Sequence, residues 1–317
     1  MRAPGFWERE GLPAALLAPA AAVWTAGAAR RAARPGWQAP VPVICCGNAT
    51  VGGAGKTTLA LDLGARLARR GARPAFLTRG YGGRASGVLR VDPERHDAAL
   101  VGDEPLLLAG VAPTYVAADR AAAARAAIAA GATVLVMDDG LQNPSLAKTL
   151  ALLVVDGASG FGNGRVLPAG PLREPVAAAA SRAQAAVLIG ADRTGAARLL
   201  PPELPVLRAE LAPVPDIAAL VGRPVLAFAG IARPEKFFAM LEQAGVTVAL
   251  RRPFPDHHRY GAAEVPDLLE AAARQGLVAV TTPKDAARLA PALGAAVTVV
   301  GVRLVWQDEA AIERLLG

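Results

Sequence analysis

The stretch GNATVGGAGKTT, Gly47 to Thr58, decides the fold. It nearly spells the phosphate-binding pattern G-x-x-x-x-G-K-[ST], with Thr50 standing where the first glycine belongs. The run before it, VPVICC (41–46), reads as a buried strand, and 56–70 reads as the helix that follows. Strand, glycine-rich turn and helix in that order turn a glycine-lysine match into a phosphate site. Gly52, Gly53 and Gly55 permit backbone angles that aim N–H groups inward, and the helix N-terminus adds positive potential. The expected cradle is Thr50, Val51, Gly52, Gly53, Ala54, Gly55, Lys56 and Thr57, with Lys56 on the terminal phosphates and the Thr57 hydroxyl on Mg2+.

Outward from this loop, short apolar runs alternate with helical stretches, the rhythm of a parallel sheet covered on both faces. Strands are expected at 74–78, 114–118, 133–137, 150–155 and 185–189, giving one doubly wound α/β unit. The proline-rich PPELPVLRAELAPVP (201–215) reads as an inter-domain connection, so the boundary is placed near 215. The pattern then restarts, with strands expected at 224–230, 246–250, 277–282 and 296–302 and helices at 234–245 and 265–276. Two domains follow, 1–215 and a smaller α/β unit at 216–317. The alanine-rich RAAAARAAIAAG (120–131) reads as helix propensity and nothing more.

Composition sets the bounds. A chain of 317 residues accommodates about two domains. With 53% hydrophobic but only 4% aromatic residues, its cores are aliphatic. The net charge of +7 comes from scattered arginines without a dense basic run, which argues against nucleic acid as a partner. Lys56, Lys148, Lys236 and Lys284 are the only lysines, so each draws attention. The cysteines, Cys45 and Cys46, are adjacent on an apolar run and read as small buried hydrophobes, consistent with a reducing compartment. The uncharged segment 11–29 precedes Arg30, Arg31 and Arg34. Its prolines and alanines weaken a spanning helix or a cleaved signal. Phe6, Trp7, Leu16, Leu17 and Trp24 beside a basic flank suit an interfacial helix, with an ordinary packed helix as the alternative.

Further constellations sit on predicted strand ends. TVLVMDDGLQN places Asp138 and Asp139 at the carboxyl end of a buried strand, where open α/β sheets bind ligands, and an acid there suits Mg2+. In VGDEP (101–105), Asp103 and Glu104 read from chemistry alone as a cap and a first-turn acid. FPDHHRY (254–260) reads as a polar turn, since a lone adjoining carboxylate makes a poor metal site. TRGYGGR (78–84) and GFGNGRVLPAGPLREP (160–175) lie on the same rim as the phosphate loop, and Arg79, Tyr81 and Arg173 there could bind phosphate or sugar hydroxyls.

In sequence order, GNATVGGAGKT, TRGYGG, VGDEP, DDGLQ, GFGNGRVLPAGPLRE, AGIARPEKFF, PDHH and TTPKDA resemble the tetraacyldisaccharide 4'-kinase family, the lipid A 4'-kinases of Gram-negative bacteria. The resemblance runs from the N-terminal apolar segment to about Asp285. It implies a P-loop NTPase-type, mostly parallel α/β sheet with a second, smaller α/β domain. It also implies transfer of the ATP γ-phosphate to the 4'-hydroxyl of an acylated glucosamine disaccharide 1-phosphate, at the cytoplasmic face of the inner membrane; no obligate protein partner is evident in the sequence. Asp103 then becomes the expected general base and His257 its partner across an inter-domain cleft. Glu104, Asp138 and Asp139 join Thr57 around Mg2+, and Arg79, Tyr81, Gln142, Arg173 and Glu174 become candidates for the acceptor site. After DDGLQ the family usually has a histidine and a basic residue, whereas this chain reads Asn143, Pro144 and Ser145, a departure that bears on acceptor contacts from this turn and not on the nucleotide site.

Three other classes fit the sequence less well. A membrane-associated partitioning ATPase also uses a GG-x-GKT loop, but its signature lysine falls where this chain has Val51. A GTPase base-recognition motif is absent, because no lysine is followed two residues later by aspartate. A cytosolic kinase for a small sugar or nucleoside leaves the N-terminal segment without a role.

Overall fold

The apolar runs become the strands of two sheets in the computed structural model, which describes residues 4–9 and 11–317. The chain lays down β1 (Val43–Gly47), β2 (Pro74–Thr78), β3 (Leu89–Arg90), β4 (Thr114–Val116), β5 (Val134–Asp138), β6 (Leu150–Asp156), β7 (Ala185–Ile189) and β8 (Val206–Pro213). It then forms β9 (Pro224–Ala229), β10 (Thr247–Pro253), β11 (Val278–Thr281), β12 (Thr298–Val299) and finally β13 (Val302–Trp306). The first sheet has the order β13-β8-β7-β6-β1-β5-β2-β4-β3 and the second β10-β9-β11-β12. Pairings from β8 through β4 are parallel, while β13 and β3 close the first sheet as antiparallel edges. Every residue of β1, β2, β5 and β7 is buried, because helices cover both faces of a parallel sheet. This is the P-loop NTPase type of α/β fold, and β1 lies between β5 and β6, so the phosphate loop leaves the sheet at its centre.

The helix Lys56–Arg69 buries Leu59, Ala60, Leu63 and Leu67 against the sheet. Its Gly64 is required by contact: a Cβ there would lie 2.3 Å from Cζ of the buried Phe76 on β2.

Two expectations about organisation are corrected. PPELPVLRAELAPVP is not a linker: residues 206–213 are β8, parallel to β7 and antiparallel to β13. Leu207 and Ala209 face in while Arg208 and Glu210 face out, an alternation obscured by prolines that flank and end the strand, where a missing N–H breaks little of the ladder. The expected second domain at 216–317 also runs too far. Residues 302–317 return to the first sheet, so the chain crosses between the two sheets twice, and the crossings are tied where Val214 N–H donates to Gly301 O at 3.1 Å.

That return is fixed by charge. Arg66, buried on the helix after the phosphate loop, donates to Asp62 at 2.7 Å and to Glu309 and Glu313 of the last helix at 2.6 Å each. Trp306 of β13 donates its indole N–H to the same Asp62 carboxylate at 3.0 Å. At the other terminus, the helices Leu12–Leu16 and Ala18–Ala32 leave Leu12, Leu16 and Val23 about three-quarters exposed. Among the described residues no helix is long and apolar enough to cross a membrane.

Two substitutions test this packing. Gly64→Ala is expected to lower unfolding free energy by about 1–3 kcal/mol through overpacking against Phe76; chemical denaturation showing no loss would contradict the contact. Arg66→Ala is expected to cost roughly 2–3 kcal/mol, as charged hydrogen-bond partners lose their donor. Retained stability would mean that the C-terminal strand and helix are held by packing alone.

Candidate active site

The phosphate loop explains its own irregularity. Thr50 forms an isolated antiparallel bridge with Leu172, its hydroxyl accepts from Asn48 Nδ2 at 3.1 Å, and the next N–H, of Val51, donates to Pro171 O at 2.8 Å. The backbone at Thr50 does not enter the left-handed region, so no glycine is needed there. Gly55 does need to be glycine: its φ is 89°, and a Cβ would meet Ile189 Cδ1 at 2.7 Å. Lys56 begins the helix, nearly buried, with its ammonium 3.0 Å from Asn48 Oδ1 and 3.7 Å from Asp139 Oδ2.

At the end of β5 the two aspartates have separate surroundings. Asp138 accepts from the Thr57 hydroxyl through Oδ2 at 2.9 Å, while its buried Oδ1 has no hydrogen-bond partner. Burial, reinforced by the charge of Glu104 and opposed by Lys56, pushes its carboxyl up to about 7. Asp139 takes both guanidinium nitrogens of Arg173, at 2.7 and 3.0 Å. Burial would raise its carboxyl, but Lys56 and Arg173 outweigh it and hold the group below the ordinary range. Gln142 Nε2 bridges Asn48 O at 2.9 Å and Glu174 Oε1 at 2.8 Å, and Glu174 is itself paired with Arg182. These contacts join the 160–175 loop to the phosphate loop. Asn143 accepts from Ser145 N–H and hydroxyl at 3.0 and 2.7 Å, so the departure after DDGLQ is a self-capped turn.

A second cluster crosses between the sheets. Asp103, 4% exposed at the start of the helix Asp103–Ala109, accepts from Glu104 N–H through Oδ1 at 2.9 Å. Its Oδ2 meets His257 Nδ1 at 3.2 Å and both Nε and Nη2 of Arg288, the former at 3.1 Å. Burial alone would raise this carboxyl, but the His257 hydrogen bond and the charges of Lys284 and Arg288 prevail and hold it well below the usual range. The same contact raises His257, with burial opposing. Lys284 donates to Glu104 Oε1 at 2.6 Å. Arg288 is oriented by Gly230 O at 2.7 Å and Asp285 Oδ1 at 3.2 Å, and the fully buried Asp285 also accepts from Tyr260, Thr282 and Gly230.

Among the described residues, Asp139 and His257 are the only non-glycine residues at positive φ, both at 55°. Aspartate and histidine tolerate that region better than most, yet it costs roughly 1–3 kcal/mol where it is not relieved. Both strained positions fall on sequence-named candidates.

The structure thus brings together Lys56, Thr57, Asp138, Asp139, Gln142, Arg173 and Glu174 in one cluster, and Asp103, Glu104 and His257 in another, with the charge of Glu104 felt at Asp138. Tyr81 is exposed with its ring centroid 6.0 Å from that of His257, and Arg79 stands exposed on the same rim. Sequence reasoning missed Asn48, Lys284, Arg288, Arg182 and Arg120. Lys284 carried a signal, being a rare lysine within TTPKDA. Arg120 was hidden in the helix read as mere propensity; it is 2% exposed, donates to Ala117 O, and feels the charges of Asp139, Arg79 and Asp138. Burial outweighs those acids and pushes its guanidinium down to about 10.

A family described as Tetraacyldisaccharide-1-P 4'-kinase matches residues 12–317. A tetraacyldisaccharide 4'-kinase of Gluconacetobacter diazotrophicus is 63% identical over 100% of this chain and 97% of that protein. One of Rhodospirillum centenum is 57% identical over 100% of this chain and 96% of that protein. A crystal structure of LpxK from Aquifex aeolicus in complex with ATP superposes with a TM-score of 0.77 at 26% identity, covering 96% of this chain and 98% of that one. The chain belongs to the tetraacyldisaccharide-1-P 4'-kinase family.

Proposed function

We propose that the chain binds ATP on the Gly47–Thr58 loop and transfers its γ-phosphate to the 4'-hydroxyl of a tetraacylated glucosamine disaccharide 1-phosphate, as a kinase of lipid A biosynthesis. The partitioning-ATPase alternative has no support from the relatives, which carry the kinase name. The observation that carries the assignment of residues is the buried Asp103, gripped by His257 and Arg288 while its neighbour Glu104 lies in electrostatic reach of Asp138. An acid held anionic beside a phosphate loop is what a hydroxyl acceptor needs.

Lys56 binds the β- and γ-phosphates, and the loop N–H groups cradle them. The residues fit Mg2+: Asp138 Oδ1 is a buried acceptor without a partner, and the Thr57 hydroxyl adjoins the other oxygen. Mg2+ takes one or two carboxylates and completes its shell with phosphates and water. Thr57 and Asp138 would hold it, with Asp139 and Glu104 nearby, and when bound it supplies neutralisation of phosphate charge.

Asp103 orients the 4'-hydroxyl and accepts its proton as the new P–O bond forms, while the bond from the γ-phosphorus to its bridging oxygen breaks and ADP leaves. So low a carboxyl is a weak base. A loose phosphoryl transition state asks it mainly for orientation, which His257 and Arg288 enforce. Arg79 and Tyr81, exposed on the rim, and the half-buried Arg173 lie on the side where the acceptor enters, while Glu174, expected there, is buried and with Gln142 braces the loop instead. Leu12, Leu16, Val23 and Trp24, exposed ahead of Arg30, Arg31 and Arg34, lie on the cytoplasmic surface of the inner membrane, where a substrate with four acyl chains resides.

The direct test is ATP-dependent phosphorylation of the purified disaccharide 1-phosphate lipid in mixed micelles, with the product position assigned by NMR. Lys56→Ala and Asp103→Asn are each expected to lower kcat by about 100-fold or more; robust transfer by either variant would remove that residue from the mechanism. For the surface reading, combined Leu12→Ser, Leu16→Ser and Val23→Ser should weaken sedimentation with phospholipid vesicles. Unchanged binding would move the membrane contact elsewhere.

A further inference from the structure

Trp24 stands at the boundary between the lipid-facing helix and the phosphate-side loop. The residue is 43% exposed, next to the exposed Val23, yet its indole N–H donates to Arg173 O at 2.9 Å. The other side of the same residue is pinned by the phosphate loop, since Arg173 N–H donates to Ala49 O at 2.7 Å. The backbone of Arg173 is therefore held by the phosphate loop on one side and by the N-terminal helix on the other, while its guanidinium takes both oxygens of Asp139. A second tie runs in parallel: Trp7 donates its indole N–H to Pro168 O at 3.1 Å, and Asn163 N–H donates to Trp7 O at 2.8 Å. An indole with a wet apolar face and a satisfied N–H suits a membrane-interface position.

We propose that Trp24 is a positioning residue through which the lipid-facing helix fixes Arg173, so that seating on the membrane and alignment of the arginine beside the phosphates are one event. The inference rests on the membrane-surface reading above. Its consequence runs through charge competition at Asp139. That carboxylate lies between Arg173, which takes both its oxygens, and Lys56, which stands off at 3.7 Å. With Arg173 held, Lys56 stays available for phosphate. Once Arg173 slackens, Asp139 draws in the Lys56 ammonium and the donor phosphates lose their main protein cation.

Trp24→Phe tests this, because it keeps an apolar ring for the membrane and removes only the donor. The expected result is wild-type binding to vesicles of phosphatidylethanolamine and phosphatidylglycerol, with kcat for phosphoryl transfer in mixed micelles lowered roughly 3- to 10-fold, the scale of one hydrogen bond. In an Arg173→Lys background the same change should lower kcat by less than about twofold, since residues acting through one another are not additive. A Trp24→Phe protein with wild-type kcat, or equal losses on both backgrounds, would overturn the coupling. Failure of the wild-type chain to bind vesicles would instead remove the membrane reading, and the cycle in micelles would still decide whether Trp24 acts through Arg173.

Discussion

The carboxylate of Asp103 is where the two halves of the molecule meet. It is supplied by the first sheet's domain, buried, and held by Arg288 and His257 from the second, while Lys284 takes the adjacent Glu104. A buried anion of this kind is stable only if paired, and losing a partner from such a pair is costly. The cations are built to stay in place: Arg288 is braced by Gly230 O and by Asp285, itself saturated with donors, and His257 occupies a left-handed turn that the surrounding chain enforces. The second domain is thus more than a lid of apolar packing, since it brings the charge that an acid beside a phosphate site requires. A second contact of the same sign pattern, Arg233 and Lys236 on Asp156 at the end of β6, repeats the arrangement.

Much of this was legible in the sequence. Strands at 74–78 and 185–189 appear with the expected limits, because fully buried parallel strands read as unbroken apolar runs bounded by turns. Lys56 and Thr57 open the helix just after Gly55, and Asp138 and Asp139 lie at the end of β5 just before Gly140, positions where pattern and chemistry coincide. Hidden features share another trait: their meaning depends on contacts distant in the chain. Arg288 lies 185 residues from Asp103 and follows no local pattern. Arg120 sits in an alanine-rich helix where propensity alone explains every residue. The strand β8 alternates correctly but is bracketed by prolines, and β13 makes sense only as its partner. Thr50 was the reverse case, an apparent defect that is a β-bridge to Leu172 and needs no glycine.

The electrostatic layout also gives the membrane a place in the account. The loop 160–175 touches the phosphate loop through Val51 and Ala49, and the N-terminal helices through Trp7 and Trp24. The proposed membrane-facing helices and the phosphate loop thereby contact two sides of one loop. The Arg173 side chain is held at both ends, its backbone by Trp24 and Ala49 and its planar fork by both oxygens of Asp139.

The central claim, that Arg288 of the second domain holds the Asp103 carboxylate in place for transfer, is tested most directly by Arg288→Ala in single-turnover transfer to the lipid acceptor, with ATP affinity measured on the same protein. The account predicts ATP affinity within about threefold of wild type and a transfer rate lower by on the order of 100-fold, the pattern of an interaction used in the transition state. Transfer at the wild-type rate, or loss of ATP binding in step with transfer, would contradict it.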